Sequence, residues 1–418
     1  MATHFFLLAF IFSTFNFVFS QVSIIKAGKL IDPSTATIAN SQLILIEDRL
    51  IKAVGPNIEI PVDAAIIDLS NHYVMPGLID AHTHLCTDVA LNESWRGQVT
   101  ERFTSYVTQT STAYRALVGA AKAKSMLEAG FTTVRDLGNA GNYADTDLRR
   151  AIENGLVPGP TIINSGVIIS PYGGQFHLHA ERPEIGSPEY IHADTRDELR
   201  KAVRKNIHFG ATVIKITVDS QPYLYSVEDI KFVVEEAGRA GLKVAAHCHS
   251  EEAARYAIEG GVASIEHGTH MSDEILTLAK QKGVALVGTE FPRWVLSNFG
   301  AELRYPVVVD RLKRAHKIGV TLVYGSDALF EIGERTRGEM ALANLESWID
   351  AGIPTTVMLQ AMTVNAAKLL GVGNERGAIK QGLMADIIAL PANPLEDIFA
   401  LQKVAFVMKN GNIIKNEE

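Results

Sequence analysis

Gly77-Leu78-Ile79-Asp80-Ala81-His82-Thr83-His84-Leu85 is a short apolar run that ends in two imidazoles one residue apart. Successive side chains of a strand point to opposite faces, so His82 and His84 share a face at the end of a buried strand. The runs downstream repeat this form. TTVRDL (132–137), TIINSG (161–166), TVIKITV (212–218), KVAAHCH (243–249), ASIEHG (263–268), ALVGTE (285–290) and TLVYGSD (321–327) are short and largely apolar, most of them with β-branched residues. Between them lie segments of helical period, such as AYRALVGAAKAKSMLEAG (113–130) and SVEDIKFVVEEAGRAG (226–241), the second closing on glycine as helices commonly do. Apolar strands alternating with helices predict an α/β domain built on buried parallel strands. With the opening run counted there are eight of them, the number that closes a TIM-like (β/α)₈ barrel.

The segments on either side read differently. VSIIKAGKLID (22–32), SQLILIEDRLIKAVG (41–55) and AAIIDLSNHYVMPG (64–77) are strands separated by turn formers, and GAIKQG (377–382), ADIIALP (385–391) and VAFVMKNGNIIK (404–415) return to that pattern after the last helix. The simplest packing joins 21–75 and 371–418 into one small β-sandwich beside a barrel of residues 76–370. At the N-terminus, the uncharged run FFLLAFIFSTFNFVF (5–19) is short for a membrane span, which needs about 20 apolar residues, but suits the core of a signal peptide. Val18 and Ser20 sit at the −3 and −1 positions of a cleavage site before Gln21, although no Lys or Arg precedes the run. Residues 1–20 are therefore expected to direct export, with no stable membrane partner.

The chain of 418 residues is 47% hydrophobic with a net charge of −8, which suits a globular protein and gives nucleic acid no basic face to bind. Two cysteines, Cys86 and Cys248, exclude a disulfide framework and read as small buried residues.

Imidazole suits zinc and similar borderline metals, and His82 and His84 stand where barrel enzymes place their sites. Lys215 sits in the middle of the β-branched run Thr212–Val218, where burying an ammonium is costly. Held neutral, its amine reacts with carbon dioxide to give a carbamate, an anionic oxygen ligand able to bridge two metals; an ion pair or a side chain reaching to the strand end would also explain it. His247 and His267 each close an apolar strand, twenty residues apart, one strand–helix repeat. His249 and His270 leave a choice in each pair; the earlier members sit nearer their strands, and His249 is read as a substrate contact. Asp327 ends the last run, where it would hold a metal and take a proton, or cap the next helix. Arg293, after the seventh strand, would clamp a substrate carboxylate or form a surface ion pair.

Met75-Pro76-Gly77-Leu78-Ile79-Asp80-Ala81-His82-Thr83-His84 resembles the opening signature of the amidohydrolase superfamily, and AMTVNAAKLLG (361–371), GAIKQGLMADIIAL (377–390) and NPLEDI (393–398) are similar to its C-terminal hallmarks. TTVRDLG (132–138) and the SIEHG run look most like the branch of binuclear Xaa-Pro dipeptidase-like and imidazolonepropionase-related enzymes, which includes carboxypeptidase-like hydrolases of dipeptides, N-acyl amino acids and amide mycotoxins. The resemblance implies His82 and His84 on a first divalent metal and His247 and His267 on a second, zinc being the expected ion. Carboxylated Lys215 would bridge the two, with Asp327 as first-metal ligand and general base. Imidazolonepropionase needs one metal and no bridging lysine, so Lys215 argues against that activity. Gly173-Gly174-Gln175-Phe176-His177 resembles a Gly-Gly-His segment whose histidine faces the scissile carbonyl; two residues intervene here, and His177 is read into the role with His179 as the alternative.

The implied reaction is hydrolysis of peptide-like amide bonds in small molecules by a metal-bridging hydroxide. A cyclic amide, lactone or phosphoester hydrolase would use the same metal site, and a non-enzymatic barrel would have no need of all six ligands. Homo-oligomer formation is left open.

Overall fold

The computed structural model describes residues 22–91, 99–176, 179–187 and 189–417. Residues 1–20, expected from the sequence to direct export, and His177 lie outside the described residues.

Strand Leu78–Thr83 is buried at every position, as its apolar composition requires when both faces are covered. It pairs in parallel with Phe131–Asp136, and that strand with Thr161–Asn164. Asn164 O accepts from the backbone N–H of Thr212 (2.8 Å) and Val213 (3.2 Å), carrying the ladder to Ile214–Thr217. Parallel pairing continues through Val244–Cys248, Ser264–His267 and Ala285–Val287. The run 321–327 then docks between the last strand and the first. Leu286 N donates to Thr321 O (2.9 Å), Ala81 N to Tyr324 O (2.9 Å) and Asp327 N to His82 O (2.8 Å).

That eighth run is extended but not a regular strand, and its last residues explain why. Asp327 has φ +53°, and a Cβ on Gly325 would come within 2.4 Å of Val287 and 2.8 Å of the His82 Cβ. Only glycine lets the chain pass this close to the first strand. Two short strands that the sequence did not reveal, Ile168–Ser170 and Tyr190–His192, extend the sheet beside Ile214–Thr217. At three residues each they carry too little periodicity to be read.

Both ends of the chain build a second sheet. Its seven strands run in the order Asn412–Asn416, Phe406–Lys409, Ile387–Leu390, Ala65–Pro76, Val22–Asp32, Thr37–Glu47 and Leu50–Gly55. Ile387–Leu390 shows why its sequence is apolar throughout. Ile387 and Ala389 face a core shared with Ile25, Ile44 and Phe406, while Ile388 and Leu390 face the main core. It is a single sheet that curls so that its edge returns to the segment before Ile387: Ile51 N donates to Leu383 O (2.9 Å) and Ala385 N to Arg49 O (2.8 Å). Among the described residues no helix is long and apolar enough to cross a membrane, and both cysteines are free and buried.

Candidate metal centre

Strand alternation and two left-handed residues assemble the site. His82 and His84 leave the end of Leu78–Thr83 on one face, while His267 (φ +67°) and Asp327 (φ +53°) end their runs in a conformation that costs a non-glycine residue about 1–3 kcal/mol. Asp327 Oδ1 lies 3.0 Å from His84 Nε2 and 3.6 Å from His82 Nε2. The ligand atoms of these three residues fall within 4.8 Å of one another, a spacing that fits one cation. His267 Nδ1 is 3.8 Å from Asp327 Oδ2, and its ring stands 5.1 Å from His82 and 4.5 Å from His247, centroid to centroid. His249 stacks on His267 at 4.9 Å. Lys215 lines the same cavity, of about 320 Å³.

The outward ring nitrogens are occupied, and this is what a donor set prepared for metal requires. Glu266 accepts from His82 Nδ1 (2.7 Å) and the Gly138 carbonyl from His84 Nδ1 (2.9 Å), while His267 Nδ1 bonds the Thr289 hydroxyl (2.8 Å). In all three rings Nε2 is left for a metal. His247 differs, its Nε2 lying 3.5 Å from Gln175 Nε2 and 3.4 Å from Ser220 Oγ.

Charge is tuned in the same direction at His82, His247 and His267, whereas Asp327 raises His84 against the effect of burial. Burial pulls His82 down to about 4, against the pull of Asp327 and Glu266, and drives His247 and His267 well below the usual imidazole value. Neutral imidazole is the form that binds metal. Burial also brings Lys215 down to about 8. Asp327 is buried too, yet the positive neighbours His82, His84 and Lys215 outweigh that and hold its carboxyl below the ordinary range.

Several supporting residues escaped the sequence reading. Arg135 crosses beneath the site, donating to Glu266 (2.8 Å), Ser264 Oγ (3.1 Å) and the Ala81 carbonyl (2.6 Å). With Arg135 and His82 beside it, Glu266 stays ionised although fully buried, its carboxyl lowered to about 2. Arg337, also buried, ties down the carbonyls of His84 (3.1 Å), Thr87 (2.8 Å) and Ala328 (2.9 Å). A charged residue inside an apolar strand was the signal that singled out Lys215, and it marks Arg135 and Glu266 equally.

Of the two readings of Arg293, the structure shows the contacts of the surface ion pair. Arg293 does not line the cavity; its exposed guanidinium pairs with Glu302 (3.2 Å) and stacks over Tyr305 at 4.7 Å. It makes the surface ion pair, because an acid and an aromatic ring lie within its reach on the following segment.

Glu266→Gln tests the support beneath His82. The variant keeps the shape of the side chain but removes the charge that Arg135 and His82 share. Metal affinity is expected to fall about 10- to 100-fold, measured by competition with a chromophoric chelator. Unchanged affinity in a variant of unchanged melting temperature would show that Glu266 has no part in orienting the ligand.

Known proteins are similar to this chain along most of its length. Residues 73–414 match the sequence model of the amidohydrolase family. An ochratoxinase of Aspergillus niger is 30% identical, with 95% of this chain and 87% of that enzyme aligned. An imidazolonepropionase of Symbiobacterium thermophilum is 27% identical over 88% of this chain and 89% of its own. Among solved structures, a Xaa-Pro dipeptidase with methionine bound in its active site matches with a TM-score of 0.79 at 28% identity, covering 94% of this chain and 99% of that one. With a family model spanning most of its length and a relative 30% identical along nearly all of it, this chain belongs to the amidohydrolase family.

Proposed function

We propose that this enzyme hydrolyses amide bonds in dipeptides or N-acyl amino acids with two divalent cations, zinc the expected one, held by His82, His84, His247, His267, Asp327 and a carboxylated Lys215. The observation that carries the reading is Lys215, a buried amine brought to about 8 in a cavity lined by five imidazoles. An amine so placed is partly neutral near physiological pH and adds carbon dioxide, losing one proton to leave an anionic carbamate. The ladder that returns from 321–327 to Leu78–Thr83 supports a (β/α)₈ barrel of residues 76–370. The curled sheet then forms a flanking domain from 21–75 and 371–418.

When bound, a pair of divalent cations supplies an acidified water near neutral pH and a Lewis acid for the scissile carbonyl. Asp327 Oδ1 sits beside Nε2 of His82 and His84, where it would join them on a cation, so proton uptake falls to Oδ2. The same carboxyl then delivers that proton to the leaving nitrogen, because an amine leaves far better protonated. His177 is proposed to donate to the carbonyl oxygen as negative charge develops there. Gln175, two residues earlier, reaches His247, which supports that placement. The amide preference is supported by the relatives named ochratoxinase and Xaa-Pro dipeptidase. The apolar run 5–19 supports export of a mature chain beginning at Gln21.

The test is a screen of purified, zinc-loaded protein against dipeptides and N-acyl amino acids beside cyclic amides, lactones and phosphoesters. Turnover of the linear amides, lost on chelation and restored by metal, is expected. Turnover confined to the cyclic or ester substrates would replace this reading with its rival.

A further inference from the structure

Two cations line the cavity among the described residues, Lys215 and Arg304. Lys215 belongs to the donor set; Arg304 does not. It precedes helix Tyr305–Ile318, and no carboxylate among the described residues lies within ion-pair distance of it. Glu302, two residues away, is taken by Arg293, which also occupies the Tyr305 ring. The two arginines on this segment therefore have opposite fates. Arg293 is paired away from the cavity, whereas Arg304, also solvent-exposed, lines the cavity without a carboxylate partner among the described residues.

Arg304 lines the cavity together with His249 and the proposed metal ligands. Phe103, Phe291, Leu296 and Leu329 give the same cavity apolar surface, beside polar groups such as Asn139 and Gln175. A cavity with metal-ligand chemistry at its floor, apolar surface and one unpaired guanidinium is complementary to a molecule with a scissile amide, an apolar group and one anionic end. Guanidinium binds a carboxylate through two parallel N–H···O bonds, which fix orientation as well as adding affinity.

We infer that Arg304 holds the free carboxylate of the substrate and so selects N-acyl amino acids with apolar side chains over their neutral carboxamides. This rests on the amide-hydrolase reading. The reaction takes R–CO–NH–CHR′–COO⁻ and water to R–COO⁻ and ⁺H₃N–CHR′–COO⁻. The carboxylate that Arg304 binds is present throughout and takes no part in bond breaking. Arg304 is thus a specificity residue whose loss falls on KM.

The experiment uses N-acetyl and N-benzoyl derivatives of phenylalanine, leucine and methionine, each paired with its carboxamide, and the metal-loaded full chain. Arg304→Gln is expected to raise KM for the best acid about 10- to 100-fold, to change kcat less than about threefold, and to leave KM for the matching carboxamide within about twofold. Arg304→Lys should recover part of the loss, a point charge replacing the fork. Arg293→Ala should leave both substrates unaffected. Equal losses on acid and carboxamide, or an unchanged KM for the acid in Arg304→Gln, would overturn the assignment while leaving the hydrolase reading intact. Turnover of neither class by wild-type protein would remove the hydrolase reading and this assignment with it.

Discussion

Lys215→Ala is expected to hold about one metal ion per chain or fewer and to lose roughly a thousandfold in turnover, the equivalent of several kcal/mol of transition-state stabilisation. Lys215 is 2% exposed, and the carboxylates near enough to act on it, Glu266 and Asp327, are engaged by Arg135 and His82 and by His84. No other side chain can take over a bridging oxygen from its position on Ile214–Thr217. Truncation leaves a space that a short carboxylate can enter, so acetate or formate at high concentration should restore part of both metal content and activity. Wild-type protein offers a second arm. Burial lowers the amine from 10.5 to about 8, so its neutral, reactive fraction grows as pH rises through 8 and is on the order of 1% at pH 6. Metal-stripped enzyme should therefore regain activity faster with zinc and bicarbonate at pH 8 than at pH 6, and slowly at either pH without bicarbonate. Full metal content and activity in Lys215→Ala without added carboxylate would end the carbamate proposal.

Local rules sufficed for much of this site. The spacing of His82 and His84 reports one face of a strand, and an interior lysine is conspicuous in Thr212–Val218 because its neighbours are apolar. What stayed hidden depends on partners distant in the chain. Arg135 and Glu266 neutralise each other across 131 residues, and neither strand contains a sign of the other. Arg293 and Arg304 follow the same strand, and composition gives no reason to prefer either. The choice is made by Glu302 and Tyr305, which draw Arg293 away from the cavity. The flanking sheet has the same lesson at a larger scale. Alternation assigns Ile387 and Ile388 to opposite faces, but the curl depends on Ile51 meeting Leu383, a contact no periodicity encodes.

Asp327→Asn should retain its metal and lose about 10²- to 10⁴-fold in kcat, the range for removing a general acid–base group. Asparagine is the informative replacement because it tolerates the left-handed backbone that Asp327 adopts at φ +53°, whereas alanine would add backbone strain to the loss of the carboxyl. It also keeps an oxygen that can remain near His84, so metal analysis should separate a chemical defect from a binding one. Metal-free protein gives an independent check through pH. The folded Asp327 lies below its usual 3.8, held there by His82, His84 and Lys215 against burial. His84 lies above its usual 6.5, because Asp327 outweighs the effect of burial there. A lowered carboxyl stabilises the fold above about 3.8 and loses that contribution as pH falls through its folded value; a raised imidazole stabilises below about 6.5 and loses it as pH rises through its own. Both members are charged between those limits, so the melting temperatures of metal-free wild type and Asp327→Asn should differ most near pH 5 and converge toward either side. A gap that is flat from pH 4 to pH 8 would separate Asp327 from His84 electrostatically, and undiminished turnover with metal retained would remove Asp327 as the base.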